Sequence, residues 1–125
     1  MVRASRDLKT SKANLEIDEG IAYTVAYLAM LRAGRALMLL KGFRPSDGFQ
    51  HKTVVDFTSH VLGKGKEVIV IRFDEMRKKR NIFTYDIDIS ISGTEAGNAL
   101  KTAGEFVNLI KEIIKKDSPQ THFKF

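Results

Sequence analysis

Ile69-Val70-Ile71-Arg72-Phe73-Asp74-Glu75-Met76-Arg77-Lys78-Lys79-Arg80-Asn81-Ile82-Phe83 decides the fold. Its start, with Val68, is β-branched and suits a strand. Its apolar positions do not alternate, however. Ile69, Phe73, Met76, Arg80 and Phe83 step by four, three, four and three, which places them on one helical face. The spacing therefore predicts a helix from about Lys66 to Phe83. Arg80 then falls inside the apolar stripe, not opposite it. A poorly hydrated guanidinium needs an anion, a carbonyl or a ligand beside it, because it cannot shed its charge. A functional site and a structural salt bridge satisfy that need equally well.

The flanking sequence extends the helical pattern. Arg3 to about Leu15 predicts a first, mostly polar helix. Asp18 is a plausible cap for a second, and Ile21 to Leu40 is apolar on nearly every turn, as in a central helix packed on several sides. Gly42 stops it and Pro45 blocks continuation. His51 to Leu62 predicts a third helix, closed by Gly63 and Gly65, with Val54, Val55, Phe57, Thr58, Val61 and Leu62 inward. A last helix follows Gly93, capped by Thr94. Its stripe is Ala96, Leu100, Ala103, Val107, Ile110 and Ile114. Ile87, Ile89 and Ile91 alternate with polar residues, so Tyr85 to Ser92 is expected as an extended connection. The expectation is an all-α, up-and-down bundle of four to five helices. It forms a single domain over 1–125, with a core from about 5 to 116 and a tail from 117 to 125.

A chain of 125 residues can bury roughly two thirds of its unfolded surface, so its core stands without staples. The absence of cysteine removes disulfides and thiolate chemistry, and suits a reducing, cytoplasmic setting. Met1 to Asp7 has no signal-peptide core, and the Ile21–Leu31 run is too short for a bilayer. Lys and Arg number 21 against 15 acids, giving a net charge of +6 and a pI near 9.7. Such a surface attracts phosphate backbones or an acidic protein.

The chemistry narrows to one segment. His51, His60 and His122 lack the spacing of a helical metal pair, so no metal or cofactor is expected. His51 stays a candidate because it opens a helix after a glycine-containing loop. Asp74-Glu75 and Asp86/Asp88 suit solvated partners of nearby cations. Between Arg72 and Asp86, arginine offers phosphate a rigid fork of donors. Asn81 can hold a sugar hydroxyl or base edge, and Tyr85 can stack on a base.

These residues carry a resemblance. Phe73-Asp74-Glu75-Met76-Arg77-Lys78-Lys79-Arg80-Asn81-Ile82-Phe83-Thr84-Tyr85-Asp86 resembles the motif helix of the HEPN superfamily. Ala33 to Pro45 resembles its long second helix and exit turn, and Gly48 to Phe57 its loop and third helix. The resemblance implies a homodimer of helical bundles, the two motif helices facing each other across one basic cleft. Active ribonucleases of the superfamily carry arginine, four to six residues, then histidine, and cut RNA without metal. Arg80 matches the arginine and Asn81 the polar residue after it. Tyr85 and Asp86 stand where the histidine would be. A phenol titrates near pH ~10 and shuttles protons poorly at neutrality. The resemblance thus implies RNA or nucleotide binding by Arg77, Arg80, Asn81 and His51, in a toxin–antitoxin or defence module. Catalysis by Arg80, Tyr85 and Asp86 is expected to be weak or absent. The competing expectations are a metal-independent endoribonuclease and a non-catalytic module that binds a small nucleotidyltransferase. In the last, Arg80 and Asp86 would lock the dimer as an ion pair.

Overall fold

A computed structural model describes residues 1–43, 50–85 and 90–117. They form five helices, α1 (Val2–Asn14), α2 (Glu19–Leu40), α3 (His51–Leu62), α4 (Glu67–Tyr85) and α5 (Gly93–Asp117). Among the described residues there is no strand. The segment with the β-branched start is helical throughout. Its four-three stripe faces inward: Phe73 and Met76 are buried, and Ile69, Arg80 and Phe83 are half-buried. Burial along one continuous face outweighs the modest β preference of Val68-Ile69-Val70-Ile71.

α2 is the axis of the bundle, packing on α1 and α5 and also meeting α3 and α4. Small residues make this possible. Ala22, Ala26, Ala29 and Ala33 are fully buried and let neighbouring backbones approach. Gly20 and Gly34 carry the closest approaches. A Cβ on Gly20 would lie 2.4 Å from Cζ of Phe83 on α4, and one on Gly34 would lie 2.5 Å from Cγ1 of Val54 on α3.

Both ends of α2 are chemically fixed. The Asp18 carboxylate accepts from the Ile21 N–H at 3.0 Å. At the other end the Gly42 N–H reaches Leu39 O at 3.1 Å and the Phe43 N–H reaches Met38 O at 3.0 Å. This is a Schellman closure, and it needs the left-handed φ of 86° that Gly42 supplies.

The cap of α5 differs from the sequence expectation. Ser92, not Thr94, caps it. The Glu95 N–H donates to Ser92 Oγ at 3.1 Å, and the Ser92 N–H donates back to Glu95 Oε1 at 3.3 Å. Ser92 to Glu95 is a capping box, which satisfies two orphan donors where a lone threonine cap satisfies one. Glu95 also takes a hydrogen bond from Lys79 and so ties the start of α5 to α4.

Two polar links hold α1 to α2. Ser11 Oγ donates to Ala22 O at 2.6 Å inside the core. Arg32 Nη1 donates to both carboxylate oxygens of Asp7 at 2.8 Å. Burial pushes the Asp7 carboxyl above its ordinary value, and the Arg32 charge only partly offsets this. A row of rings crosses the core. Phe106 lies 4.9 Å from Phe73, and Phe73 lies 5.7 Å from Tyr27. All three are fully buried, so α5, α4 and α2 share one aromatic spine.

Candidate basic site around Arg80 and His51

The aromatic spine does not end at Tyr27. The His51 ring lies 5.6 Å from it, and the Tyr27 hydroxyl is 2.9 Å from His51 Nδ1. His51 is the first residue of α3, half-buried, so the first turn of that helix is pinned to the middle of α2. Tyr27 is fully buried, and burial raises its hydroxyl to about 12. It is therefore a phenol at every physiological pH.

Three arginines from two helices bear on this pair. Arg80, Arg35 and Arg77 each act electrostatically on both Tyr27 and His51. Arg80 is half-buried, with its Nε shut off from solvent. Arg77 is held by its neighbour, its Nε donating to Asp74 Oδ1 at 2.9 Å. Lys78 pairs with the other oxygen of Asp74 at 3.3 Å. Burial opposes the Asp74 charge, but the bonds from Arg77 and Lys78 outweigh it and hold the carboxyl below its usual range. For His51 burial acts first and the three arginines act in the same direction, so its pKa falls below the ordinary 6.5. At pH 7 the imidazole is neutral among cations.

The positive surface does not stop there. Arg35 also borders, with Arg3 and Arg32, a hollow of about 420 Å³ between α1 and α2. Another hollow, of about 490 Å³, lies between α4 and α5, where Arg72, Lys79 and Lys101 are matched by Glu75, Glu95 and Glu105. That balance of charge gives an anion no net attraction. Around His51, by contrast, Arg35, Arg77 and Arg80 act together on one histidine.

The sequence-derived candidates therefore divide. Arg77, Arg80 and His51 come together. Asn81 is exposed one residue further along α4. The Tyr85 side chain and Asp86 lie outside the described residues, as do His122 and the Ile87–Ile89 alternation. Tyr27 and Arg35 belong to the cluster and were missed. Their signals were a phenol in an otherwise apolar helix, whose hydroxyl must find a partner, and an arginine interrupting the same helix. No group of metal ligands occurs among the described residues. Among them, no helix is long and apolar enough to cross a membrane.

A family model described as the HEPN domain matches residues 1–113. No curated protein and no solved structure is similar enough to the chain to match it.

Proposed function

Because the chain belongs to the HEPN family, matched from its first residue to the last turns of α5, we propose that it is a homodimer that binds RNA or a nucleotide through the basic site around Arg80. One observation carries this reading. Arg80, Arg77 and Arg35, from two different helices, all act electrostatically on a histidine whose Nδ1 lies 2.9 Å from the Tyr27 hydroxyl. Guanidinium forks are suited to phosphate oxygens, and the continuation toward Arg32 and Arg3 suits a ligand longer than one phosphate. A net charge of +6 adds long-range attraction.

Catalysis in this reading is weak or absent. Tyr85 and Asp86 occupy the motif's histidine position, and neither residue type is a proton shuttle matched to neutral pH. A setting in a cytoplasmic toxin–antitoxin or defence module, beside a small nucleotidyltransferase, fits the family and the basic surface. The dimer is supported by apolar side chains left on α4: Val68, Ile71 and Ile82 are each half or more exposed.

The test is affinity for a short single-stranded RNA across a salt series. Log affinity is expected to fall linearly with log salt, with a slope of roughly −0.7 per phosphate contacted. Arg80→Ala is expected to weaken binding on the order of 10- to 100-fold at fixed salt. Equal affinity for wild type and variant would remove Arg80 from the binding surface. Labelled RNA incubated with the protein in chelator should remain intact, and cleavage abolished by Arg80→Ala would establish the ribonuclease alternative.

A further inference from the structure

We propose that His51 holds a phosphate oxygen of the ligand as an uncharged hydrogen-bond donor, through Nε2–H, with Tyr27 fixing that tautomer. This rests on the reading of the Arg80 cluster as a phosphate site. It gives His51 on α3, a binding candidate far from the motif helix in sequence, a defined atom and protonation state.

The argument begins with a buried hydroxyl. Tyr27 is fully buried, and a buried O–H must find an acceptor. Among the described residues its partner is His51 Nδ1, at 2.9 Å. A hydroxyl can donate to an imidazole nitrogen only through that nitrogen's lone pair. The single proton of the neutral ring then sits on the other nitrogen, Nε2. The ring is half-buried, and with Nδ1 taken by the buried Tyr27 hydroxyl its N–H is the Nε2–H.

The surroundings keep the ring neutral. Arg35 on α2 and Arg77 and Arg80 on α4 all oppose an imidazolium, and so does the positive end of α3, on which His51 sits. The result is a donor that adds no repulsion to a cluster already rich in cations. It is also a poor base. A general base needs a bare Nε2, and the Tyr27 hydroxyl selects the opposite tautomer. The ring is built to grip an oxygen, not to remove a proton.

Glutamine separates these roles. At position 51 its carbonyl can accept from Tyr27 while its amide N–H points outward, copying the proposed tautomer without any titration. Affinity is measured for wild type, His51→Ala, His51→Gln and Arg80→Ala, each with its melting curve. The probes are a short RNA with no terminal phosphate, adenosine monophosphate, and inorganic phosphate. His51→Ala is expected to weaken RNA or nucleotide binding on the order of tenfold, with His51→Gln within about threefold of wild type. A loss confined to the RNA assigns an internal phosphodiester, and a loss shared by the nucleotide assigns a terminal phosphate. A His51→Gln loss as large as that of His51→Ala overturns the proposal. So does wild-type affinity in His51→Ala while Arg80→Ala is weakened, and that result leaves the phosphate site itself standing. Absence of binding by wild type removes both. Nitrogen-15 spectra of the wild-type imidazole give a second readout that needs no variant to fold. The Nε2–H tautomer is expected near neutral pH, and a predominant Nδ1–H tautomer overturns the proposal.

Discussion

His51 and Tyr27 stand 24 positions apart in the chain and 2.9 Å apart in space. Neither residue announces the other. A histidine that opens a helix and a tyrosine in an apolar run are both common, and only the packing of α3 on α2 joins them. Periodicity was enough to place Arg80 in the inward stripe, because that is a local property of α4. It could not supply Arg35 or Tyr27, which reach the site through tertiary contact. The pair has a consequence for stability. The His51 pKa is lowered in the folded state from an ordinary value of 6.5. As pH falls through that ordinary value, the unfolded chain takes up a proton that the folded chain still refuses. The stability contribution is therefore complete above pH 6.5 and declines as pH falls toward the folded value. Urea melts at pH 7.5 and 5.5 should show wild type losing more stability on acidification than His51→Gln, which cannot titrate. Identical acid losses in the two proteins would show that His51 is not the group concerned. Phosphate binding should act in the reverse sense, because an anion beside Arg80, Arg35 and Arg77 screens their repulsion of the imidazolium. Ligand is then expected to raise the histidine's pKa, and binding to draw in protons from solution on the acid side of pH 6.5.

At the scale of elements, the most legible features were those with local causes. The caps of α2 at Asp18 and Gly42 are sequence signals that the structure realises bond for bond. α4 was legible despite its β-branched start because a stripe of five positions outweighs four propensities. The cap of α5 shows how a nearby signal misleads. Thr94 is an acceptable cap residue, but Ser92 has Glu95 three positions later, and the reciprocal pair wins. Nothing in the sequence marks Gly34 as a crossing point, since a glycine among alanines in a helix looks like a mere weakness. The structure gives it a reason: Val54 of α3 fills the space that a side chain would take. Gly34→Ala normally favours a helix by about 1 kcal/mol. Here the new methyl would lie 2.5 Å from Cγ1 of a fully buried valine. Overpacking of this kind costs about 1–3 kcal/mol, so the net expectation is a lower melting temperature. Gly34→Ala combined with Val54→Ala should recover part of the loss. If Gly34→Ala melts higher than wild type, the α2–α3 contact is looser than described. Because α3 carries His51, the same substitution should also weaken phosphate binding.

For the whole molecule, the orientation of α4 decides what a second copy could share. Val68, Ile71 and Ile82 are 62%, 56% and 50% exposed. Spacings of three and eleven residues put them on one side of the helix. At 100° per residue, Arg80 lies about 160° around the axis from Ile82. It points inward, toward Tyr27 and His51 of its own chain. The sequence expectation places Arg80 in a crevice between two copies, and within one chain the residues acting on it come from three helices. Dimerisation through the apolar side of α4 would bring two clusters near each other, each with its own Arg35, Arg77 and His51. This separates two quantities that a shared cleft would couple. The double variant Ile71→Glu, Ile82→Glu puts like charges into a self-complementary face and is expected to yield a monomer by light scattering. Its melting temperature should change little, since both residues are exposed. Its affinity for a mononucleotide should stay within about threefold of wild type, because the cluster around His51 is intact. Binding of a longer RNA should fall further, as the second cluster no longer lies within reach of the same strand. A wild type that is monomeric across the micromolar range would end the dimer reading. A monomeric variant that loses mononucleotide binding outright would show that the partner copy completes the site after all.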